Sequence, residues 1–359
     1  MSPDLTVPAA RAPNRRAVAL WLFACCVMIF VMVVLGGVTR LTHSGLSMVE
    51  WRPVTGWLPP LTESAWQVTF ERYQAYPEFH KLNRDMTLSG FKSIFWLEYL
   101  HRIWGRLIGF VFLLPLVFFW LKGCIRGQLI SRLLAIFALG AAQGVMGWYM
   151  VMSGLIDRPD VSQYRLSAHL ALAFLLYAYI FWVALDLLGS PTDTAGAADP
   201  QQRRGIYRAC VCLLGLVAAT VIFGGFVAGL DAGFAYNTFP LMGGRWVPEY
   251  LFAMQPVMRN FFENIATVQF THRILAISCL VFAAAVWLWG RGLVLSPRTR
   301  VCLHTMMLVV AVQVSLGIAT LLLVVPIALA AAHQAGALLV VSSLLWLIHE
   351  LRRDAARGA

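Results

Sequence analysis

The sequence predicts an all-α integral membrane protein whose eight transmembrane helices form two parallel-repeated four-helix bundles. Three observations predict this fold: the composition, a set of apolar stretches, and a match between the two halves of the chain. Of 359 residues, 60% are hydrophobic and 13% are charged, a balance unlike that of soluble domains. An apolar stretch of about 20 residues can cross a bilayer as a helix. The eight such stretches are Ala17–Gly37, Phe95–Leu121, Leu133–Met152, Leu166–Leu188, Ala209–Leu230, Val268–Trp289, Val301–Val325 and Ile327–Ile348.

The basic residues indicate the orientation of the chain rather than a nucleic-acid partner. The formal net charge is +11, but the positive residues are spread over the loops instead of forming one nucleic-acid-binding patch. Cytoplasmic loops carry an excess of Lys and Arg, and a cytoplasmic N-terminus gives each inner segment three of them. They are Arg11, Arg15, Arg16, Lys122, Arg126, Arg132, Arg203, Arg204, Arg208, Arg291, Arg298, Arg300, Arg352, Arg353 and Arg357. Both termini are therefore predicted to be cytoplasmic.

The segment before the first apolar stretch predicts a bacterial inner membrane. It contains Pro3, Pro8 and Pro13, which would break the amphipathic helix of a mitochondrial transit peptide. No small-residue cleavage site follows the first apolar stretch, so we expect an uncleaved anchor. The seven cysteines lie in helices or at cytoplasmic ends, away from an oxidising compartment, and predict no structural disulfide.

The second half of the chain matches the first half in the same order. The matches pair "GGVTRLTHSGLS" from Gly36 with "GGFVAGLDAGFA" from Gly224, "EYLHRI" with "QFTHRI", "AAQGVMGWYMV" with "AVQVSLGIATL", and "SAHLALA" with "AAHQAGA". Such self-similarity indicates two copies of one unit, and four crossings per unit give both copies the same orientation. We predict a first unit at 1–188, a cytoplasmic linker at 189–205 and a second unit at 206–359.

Four histidines fall at matched positions in the two predicted units. His101, His169, His272 and His333 lie near the outer ends of the second, fourth, sixth and eighth helices. An intramembrane histidine either hydrogen-bonds to a neighbouring helix or serves a function, and four matched ones favour a cofactor site between facing helices. One pair in each unit suits bis-histidine ligation of two haem irons. Zinc is the weaker reading, because the second unit offers no cysteine or carboxylate partner.

The residues around these histidines allow more than one reading. Arg102 and Arg273 each follow a histidine directly and so point about 100° away around the helix. Contact with a haem propionate and snorkelling to the interface both remain open. The paired glycines Gly36–Gly37 and Gly224–Gly225 predict close helix packing. The other histidines are predicted to be solvated loop residues (His43 and His80) or interfacial residues (His304 and His349).

Four runs of the sequence resemble the haem A synthase family. They are "EFHKLNRDMTLSGFKSIFWLEYLHRIWGR" (Glu78–Arg106), "DVSQYRLSAHL" (Asp160–Leu170), "AGLDAGFAYNTFPLM" (Ala228–Met242) and "ENIATVQFTHR" (Glu263–Arg273). Their length and order make the likeness far more specific than a bare E-x-x-H motif. The outer loop Val38–Lys92 is similar to that of the proteobacterial and mitochondrial branch. It lacks the cysteine pair of another branch, so a thiol-based step is not expected.

The resemblance implies oxidation of haem O to haem A, in which the methyl group at ring position 8 becomes a formyl group through a hydroxymethyl stage. It implies a substrate haem at His101 and His169, a haem b at His272 and His333, and contacts from Arg102 and Arg273. The product would serve cytochrome oxidase. The implied partners are the haem O synthase (a farnesyltransferase), oxidase assembly factors and membrane lipid, with a homo-oligomer left open.

One difference between the units predicts where the reaction occurs. Glu98 precedes His101 by three positions on the same helix face, whereas Gln269 occupies the matching place before His272. A carboxylate beside the substrate can accept a proton or stabilise developing positive charge better than an amide. We therefore predict that Glu98 is catalytic. The alternative is an ion pair between Glu98 and Arg102 at i, i+4.

Two other functions fit parts of the pattern. A two-haem, quinol-linked b-type electron carrier would use all four histidines but leaves the difference between Glu98 and Gln269 unexplained. A haem transporter fits less well, because the predicted repeat is parallel and each haem would be held by two histidines.

Overall fold

Eight long helices dominate the computed structural model, which describes residues 15–50, 56–155, 161–188 and 199–357. Within these ranges the chain forms helices and no strand, and eight helices are long and apolar enough to span a membrane. The predicted fold class of an all-α membrane protein with eight spans is therefore confirmed. The spanning helices are α1 (Arg15–Leu41), α4 (Leu88–Leu121), α5 (Gln128–Gly154), α6 (Gln163–Leu188), α7 (Pro200–Gly229), α9 (Ile265–Arg291), α10 (Pro297–Leu322) and α11 (Ile327–Arg357).

The shorter elements lie in the connections that precede α4 and α9. They are α2 (Glu63–Gln74), α3 (Pro77–Leu82), the 3₁₀ turns Ala232–Phe234 and Val257–Arg259, and α8 (Asn260–Glu263). The first connection has a small aromatic core of its own, formed by the buried residues Trp66, Phe70, Tyr73, Phe91 and Phe95. This core packs α2 and α3 against the start of α4, so the first outer loop is a structured layer.

The spanning helices extend beyond the apolar stretches because polar residues cap them. Asp199 accepts a hydrogen bond from the Gln202 amide and Pro200 opens α7, nine residues before the predicted start. A capping side chain and a proline at the first turn both favour a helix start. Residues 200–205 of the predicted linker are therefore helical, and residues 189–198 lie outside the described part of the chain.

The helices contact one another as two groups of four. In the first unit, α1 packs on α4 and α6, and α5 packs on the same two helices. In the second unit, α7 packs on α9 and α11, and α10 packs on the same two helices. The two units meet where α6 contacts α7 and α11 and where α1 contacts α11. The division of the chain into two repeated bundles stays a prediction.

Polar contacts gather at the end of the helices where α6 finishes and α7 begins. Asp186 accepts a hydrogen bond from Arg132 at 2.8 Å, and Nε2 of His349 lies 3.1 Å from the same carboxylate. His349 is only 3% exposed, so it packs between helices at this end, and its predicted depth at the membrane interface stays a prediction. His304 is exposed and accepts a hydrogen bond from Trp287 at 2.9 Å. The sequence did not predict Asp186 as the partner of His349, because the two residues are 163 positions apart and α11 is mostly apolar around His349.

Candidate functional site: four histidines beside four glycines

The four matched histidines lie towards one end of their helices. His169, His272 and His333 come six or seven residues after the first residue of α6, α9 and α11, roughly 10 Å along the axis at 1.5 Å per residue. His101 comes thirteen residues after the start of α4. This difference arises because α4 begins at Leu88 and extends outward under the aromatic core of the first loop.

Two of the imidazoles lie against the first glycine of a glycine pair. A Cβ atom added to Gly36 of α1 would lie 3.2 Å from Nε2 of His101, and one added to Gly224 of α7 would lie 3.2 Å from Cε1 of His272. Each glycine thus leaves room for a ring on the neighbouring helix, as small residues do in membrane bundles. The close packing predicted for Gly36 and Gly224 is confirmed.

The other two imidazoles have the same kind of neighbour. A Cβ atom would lie 3.5 Å from Cε1 of His169 if added to Gly147 of α5, and 2.7 Å from Cε1 of His333 if added to Gly317 of α10. Gly147 and Gly317 occupy the same place in the matched runs "AAQGVMGWYMV" and "AVQVSLGIATL". Sequence reasoning missed both glycines, although this match was the signal that could have identified them.

In each unit, a glutamine of the third long helix donates a hydrogen bond to the backbone of the histidine on the fourth. Nε2 of Gln143 donates to the carbonyl oxygen of His169 at 3.2 Å and lies 3.2 Å from Nε2 of the same residue. Nε2 of Gln313 donates to the carbonyl oxygen of His333 at 2.9 Å. The two glutamines also hold equivalent places in the matched runs. The sequence prediction did not include them.

The side-chain chemistry of the histidines suits iron ligation. Nδ1 of His272 lies 3.1 Å from the carbonyl oxygen of Thr220; a protonated Nδ1 donating there leaves the lone pair of Nε2 for a metal. Nδ1 of His169 and of His333 are buried without a hydrogen-bond partner among the residues that the structure describes. The pairs therefore fit the donor set of two bis-histidine haem sites.

Glu98 lies in a buried position and contacts the first outer loop. Its side chain accepts hydrogen bonds from the Ser47 hydroxyl at 2.7 Å, from the Met48 amide at 2.7 Å, and from the Arg102 guanidinium. The residue is 2% exposed. The i, i+4 ion pair that stood as the alternative to catalysis is thus present, and a catalytic role for Glu98 stays a prediction.

Gln269 makes the opposite kind of contact in the second unit. Its Nε2 donates to the carbonyl oxygen of Ala232 at 2.7 Å, and its Oε1 accepts from Arg273 at 3.1 Å. The first loop offers an amide and a hydroxyl donor to its helix, whereas the second loop offers a carbonyl acceptor. A carboxylate suits the first loop and an amide suits the second, so the loops supply a structural reason for the difference between Glu98 and Gln269.

Both arginines bind the backbone of the loop in their own unit. Arg102 donates to the carbonyl oxygens of Met48 at 2.7 Å and Glu50 at 2.9 Å. Arg273 donates to the carbonyl oxygens of Tyr236 and Thr238, each at 2.7 Å. These contacts place the guanidinium groups in the loops rather than snorkelling into water. A contact with a haem propionate stays a prediction.

Comparisons with known proteins identify relatives of nearly the whole chain. A family model described as cytochrome oxidase assembly protein (COX15-CtaA) matches residues 19–345. A protein of Nitrosospira multiformis named Heme A synthase is 51% identical over 95% of each chain. One of Paramagnetospirillum magneticum with the same name is 52% identical over 94% of each chain. The human protein named Heme A synthase COX15 is 45% identical over 97% of this chain and 86% of its own length.

Proposed function

This chain belongs to the COX15-CtaA family of cytochrome oxidase assembly proteins, and from that membership we infer that it oxidises haem O to haem A in the membrane. Its relatives named Heme A synthase match nearly its whole length. The observation that carries the inference to particular residues is the placement of four histidines, each against a glycine of another helix. The comparisons do not favour the alternative of a two-haem electron carrier.

The proposed substrate site is the pair His101 and His169 in the first unit. Gly36 and Gly147 leave space beside these two rings, and Gln143 holds the backbone of His169. Glu98 lies one helical turn from His101, about 5 Å along the axis. Of the two proposed haem sites, this one has a carboxylate at the position that the second unit fills with Gln269, so we assign the oxidation to the first unit.

The proposed cofactor site is the pair His272 and His333 in the second unit. Hydrogen bonds orient both residues, because Thr220 accepts from the ring of His272 and Gln313 donates to the backbone of His333. A haem b held there supplies one-electron redox chemistry when bound. His272 and His333 would hold the haem, while the carbonyl oxygen of Thr220 and the side chain of Gln313 keep these two residues in place.

Glu98 is the proposed proton acceptor of the reaction. The guanidinium of Arg102 compensates the charge of its buried carboxylate, and hydrogen bonds from Ser47 and Met48 fix its position. A fixed carboxylate next to the substrate can accept the protons released as a ring methyl group is oxidised. Bridging of the loop and proton acceptance are compatible, because Ser47 and Met48 both donate to Oε2. Oε1 accepts from Arg102 alone among these contacts and keeps a second lone pair for a proton.

Identification of the extracted haems tests this function. Chromatography of haems from the purified wild-type protein should give haem b together with haem O, haem A or the hydroxylated intermediate. His272→Ala and His333→Ala should lose haem b and its low-spin absorbance while the first unit retains haem O. His304→Ala, at an exposed position, is the matched control and should retain both. Haem b alone in the wild type would favour the electron carrier instead.

The eight apolar helices of the described residues indicate a multi-pass membrane protein. We propose the bacterial inner membrane with both termini in the cytoplasm, so that the outer loops and the histidine end of the helices face the periplasm. A haem O synthase would supply the substrate, and cytochrome oxidase assembly would consume the product.

A further inference from the structure

The two glycines of each glycine pair face different units. On α1, Gly36 lies against His101 of its own unit, whereas Gly37 faces Gln334 of α11 in the second unit. A Cβ atom at Gly37 would lie 2.5 Å from Oε1 of Gln334. Gln334 directly follows His333, and its Nε2 donates to the carbonyl oxygen of Val33 on α1 at 3.1 Å. A first-unit helix thus fixes the residue beside a second-unit histidine.

The second pair has the reciprocal arrangement. On α7, Gly224 lies against His272 of its own unit, and Gly225 faces Ser167 of α6 in the first unit. A Cβ atom at Gly225 would lie 2.8 Å from the Cα atom of Ser167, so the helix backbones touch here. Ser167 precedes His169 by two residues, is 3% exposed, and donates to the carbonyl oxygen of Ile222 on α7 at 2.8 Å.

A second close approach extends the contact between α6 and α7. Gly229 follows Gly225 at i+4, and a Cβ atom there would lie 2.5 Å from the Cα atom of Gln163. Two glycines four residues apart form the surface on which transmembrane helices approach most closely. The start of α6, which leads into His169, is therefore seated directly on the second unit.

We propose that Gly37 and Gly225 are positioning residues that act across the unit boundary: each fixes a haem-ligating histidine of the other unit. Gly37 positions His333 through Gln334, and Gly225 positions His169 through Ser167. The two haem sites are thereby coupled in geometry, since neither fourth helix can shift without displacing the glycine helix of the other unit. This inference rests on the proposed haem assignments, and its test begins by checking them.

Electron paramagnetic resonance of the full-length, haem-loaded protein provides the measurement. The low-spin signals are first assigned by their loss in His101→Ala and in His333→Ala. Two signals that do not separate in this way would reject the proposed haem assignments before any glycine is changed. With the signals assigned, the spectra of four single variants are compared: Gly36→Ala, Gly37→Ala, Gly224→Ala and Gly225→Ala.

The expected result is a crossed pattern. Gly37→Ala should shift or diminish the second-unit signal and spare the first, whereas its neighbour Gly36→Ala should do the reverse. Gly225→Ala should alter the first-unit signal, and Gly224→Ala the second-unit signal. The proposal is overturned if adjacent glycines affect the same haem, or if Gly37→Ala and Gly225→Ala leave both signals unchanged.

Milder variants keep the test decisive if a glycine variant does not accumulate. Ser167→Ala and Gln334→Leu each remove one hydrogen bond between the units and should shift the first-unit and second-unit signals, respectively. The matched control is Ser343→Ala, because Ser343 is equally buried but donates within its own helix, to Val340. Signals in Ser167→Ala and Gln334→Leu that match those of the control would refute the coupling.

Discussion

The carboxylate of Glu98 accepts a 2.7 Å hydrogen bond from the hydroxyl of Ser47, which lies 51 residues earlier in the chain. This contact ties the first outer loop to the helix that carries His101. It also gives Glu98 a structural task that Gln269 performs with reversed hydrogen-bond polarity in the second unit. The structural and chemical roles of Glu98 must therefore be separated by experiment.

Ser47→Ala tests the structural role of Glu98 by removing its hydrogen-bond partner in the first outer loop. The variant removes one donor to Glu98 but leaves the Met48 amide and Arg102 in place. We expect a loss of about 1 to 3 kcal/mol in the free energy of unfolding, with haem A output per folded molecule close to that of the wild type. Thermal unfolding in detergent and haem extraction measure the two quantities. Haem A output as low as in Glu98→Gln would mean that Glu98 acts mainly through the loop.

Glu98→Gln tests the chemistry directly. Loss of one acid or base group lowers a rate by about 10²- to 10⁴-fold, so haem O or the hydroxylated intermediate should accumulate in a protein that still binds haem. Haem composition after expression gives the result. Wild-type haem A content in this variant would show that the proton acceptor lies elsewhere.

Gln269→Glu is the companion change in the second unit. The new carboxylate would face the carbonyl oxygen of Ala232, where Nε2 of Gln269 now donates, and a buried acceptor facing an acceptor costs about 1 to 3 kcal/mol. We therefore expect lower thermal stability while each folded molecule still makes haem A. If folded molecules of this variant made no haem A, the active site could not be confined to the first unit.

The sequence predicted the spans from patterns within single helices, and it predicted the four histidines from the match between the two halves of the chain. Apolar length is a local property, and it located the eight helices that, in the described part of the chain, are long and apolar enough to span a membrane. The partners of Glu98 were not predictable in this way, since Ser47 and Met48 lie in an irregular loop with no periodicity to follow. Gln143 was missed for a related reason: its function depends on which helix faces α6, and apolar stretches do not encode helix neighbours.

Gln313→Leu tests the support of the cofactor site. The side chain keeps its approximate size but can no longer donate to the carbonyl oxygen of His333, at 2.9 Å in the wild type. A neutral hydrogen bond contributes about 0.5 to 1.5 kcal/mol, so haem b content should fall modestly and the low-spin signal should broaden. Gln143→Leu is the matched change in the first unit and should leave haem b content unaltered. Equal loss of haem b in both variants would argue against separate sites.

Arg273→Lys tests whether the hydrogen bonds of Arg273 hold the second outer loop in place. Arginine donates to Tyr236 and Thr238 at once, and a lysine ammonium cannot reproduce this planar fork. The loop should become more sensitive to protease added from outside. Arg245→Lys is the control, because Arg245 is an exposed residue of the same loop, paired with Glu249 at 2.6 Å. Unchanged cleavage of the Arg273→Lys loop would show that other contacts hold it.

The position of the histidines predicts a sidedness for haem reduction. His169, His272 and His333 lie six or seven residues from the helix starts, and the distribution of Lys and Arg predicts that those starts are on the periplasmic side. A membrane-impermeant reductant should therefore reduce the haems faster in right-side-out vesicles than in inverted ones, because the distance from the water phase to the haem edge is shorter. As a control, protein extracted into detergent from either kind of vesicle should have its haems reduced at the same rate. Faster reduction in inverted vesicles would reverse the proposed topology, and with it the assignment of both termini to the cytoplasm.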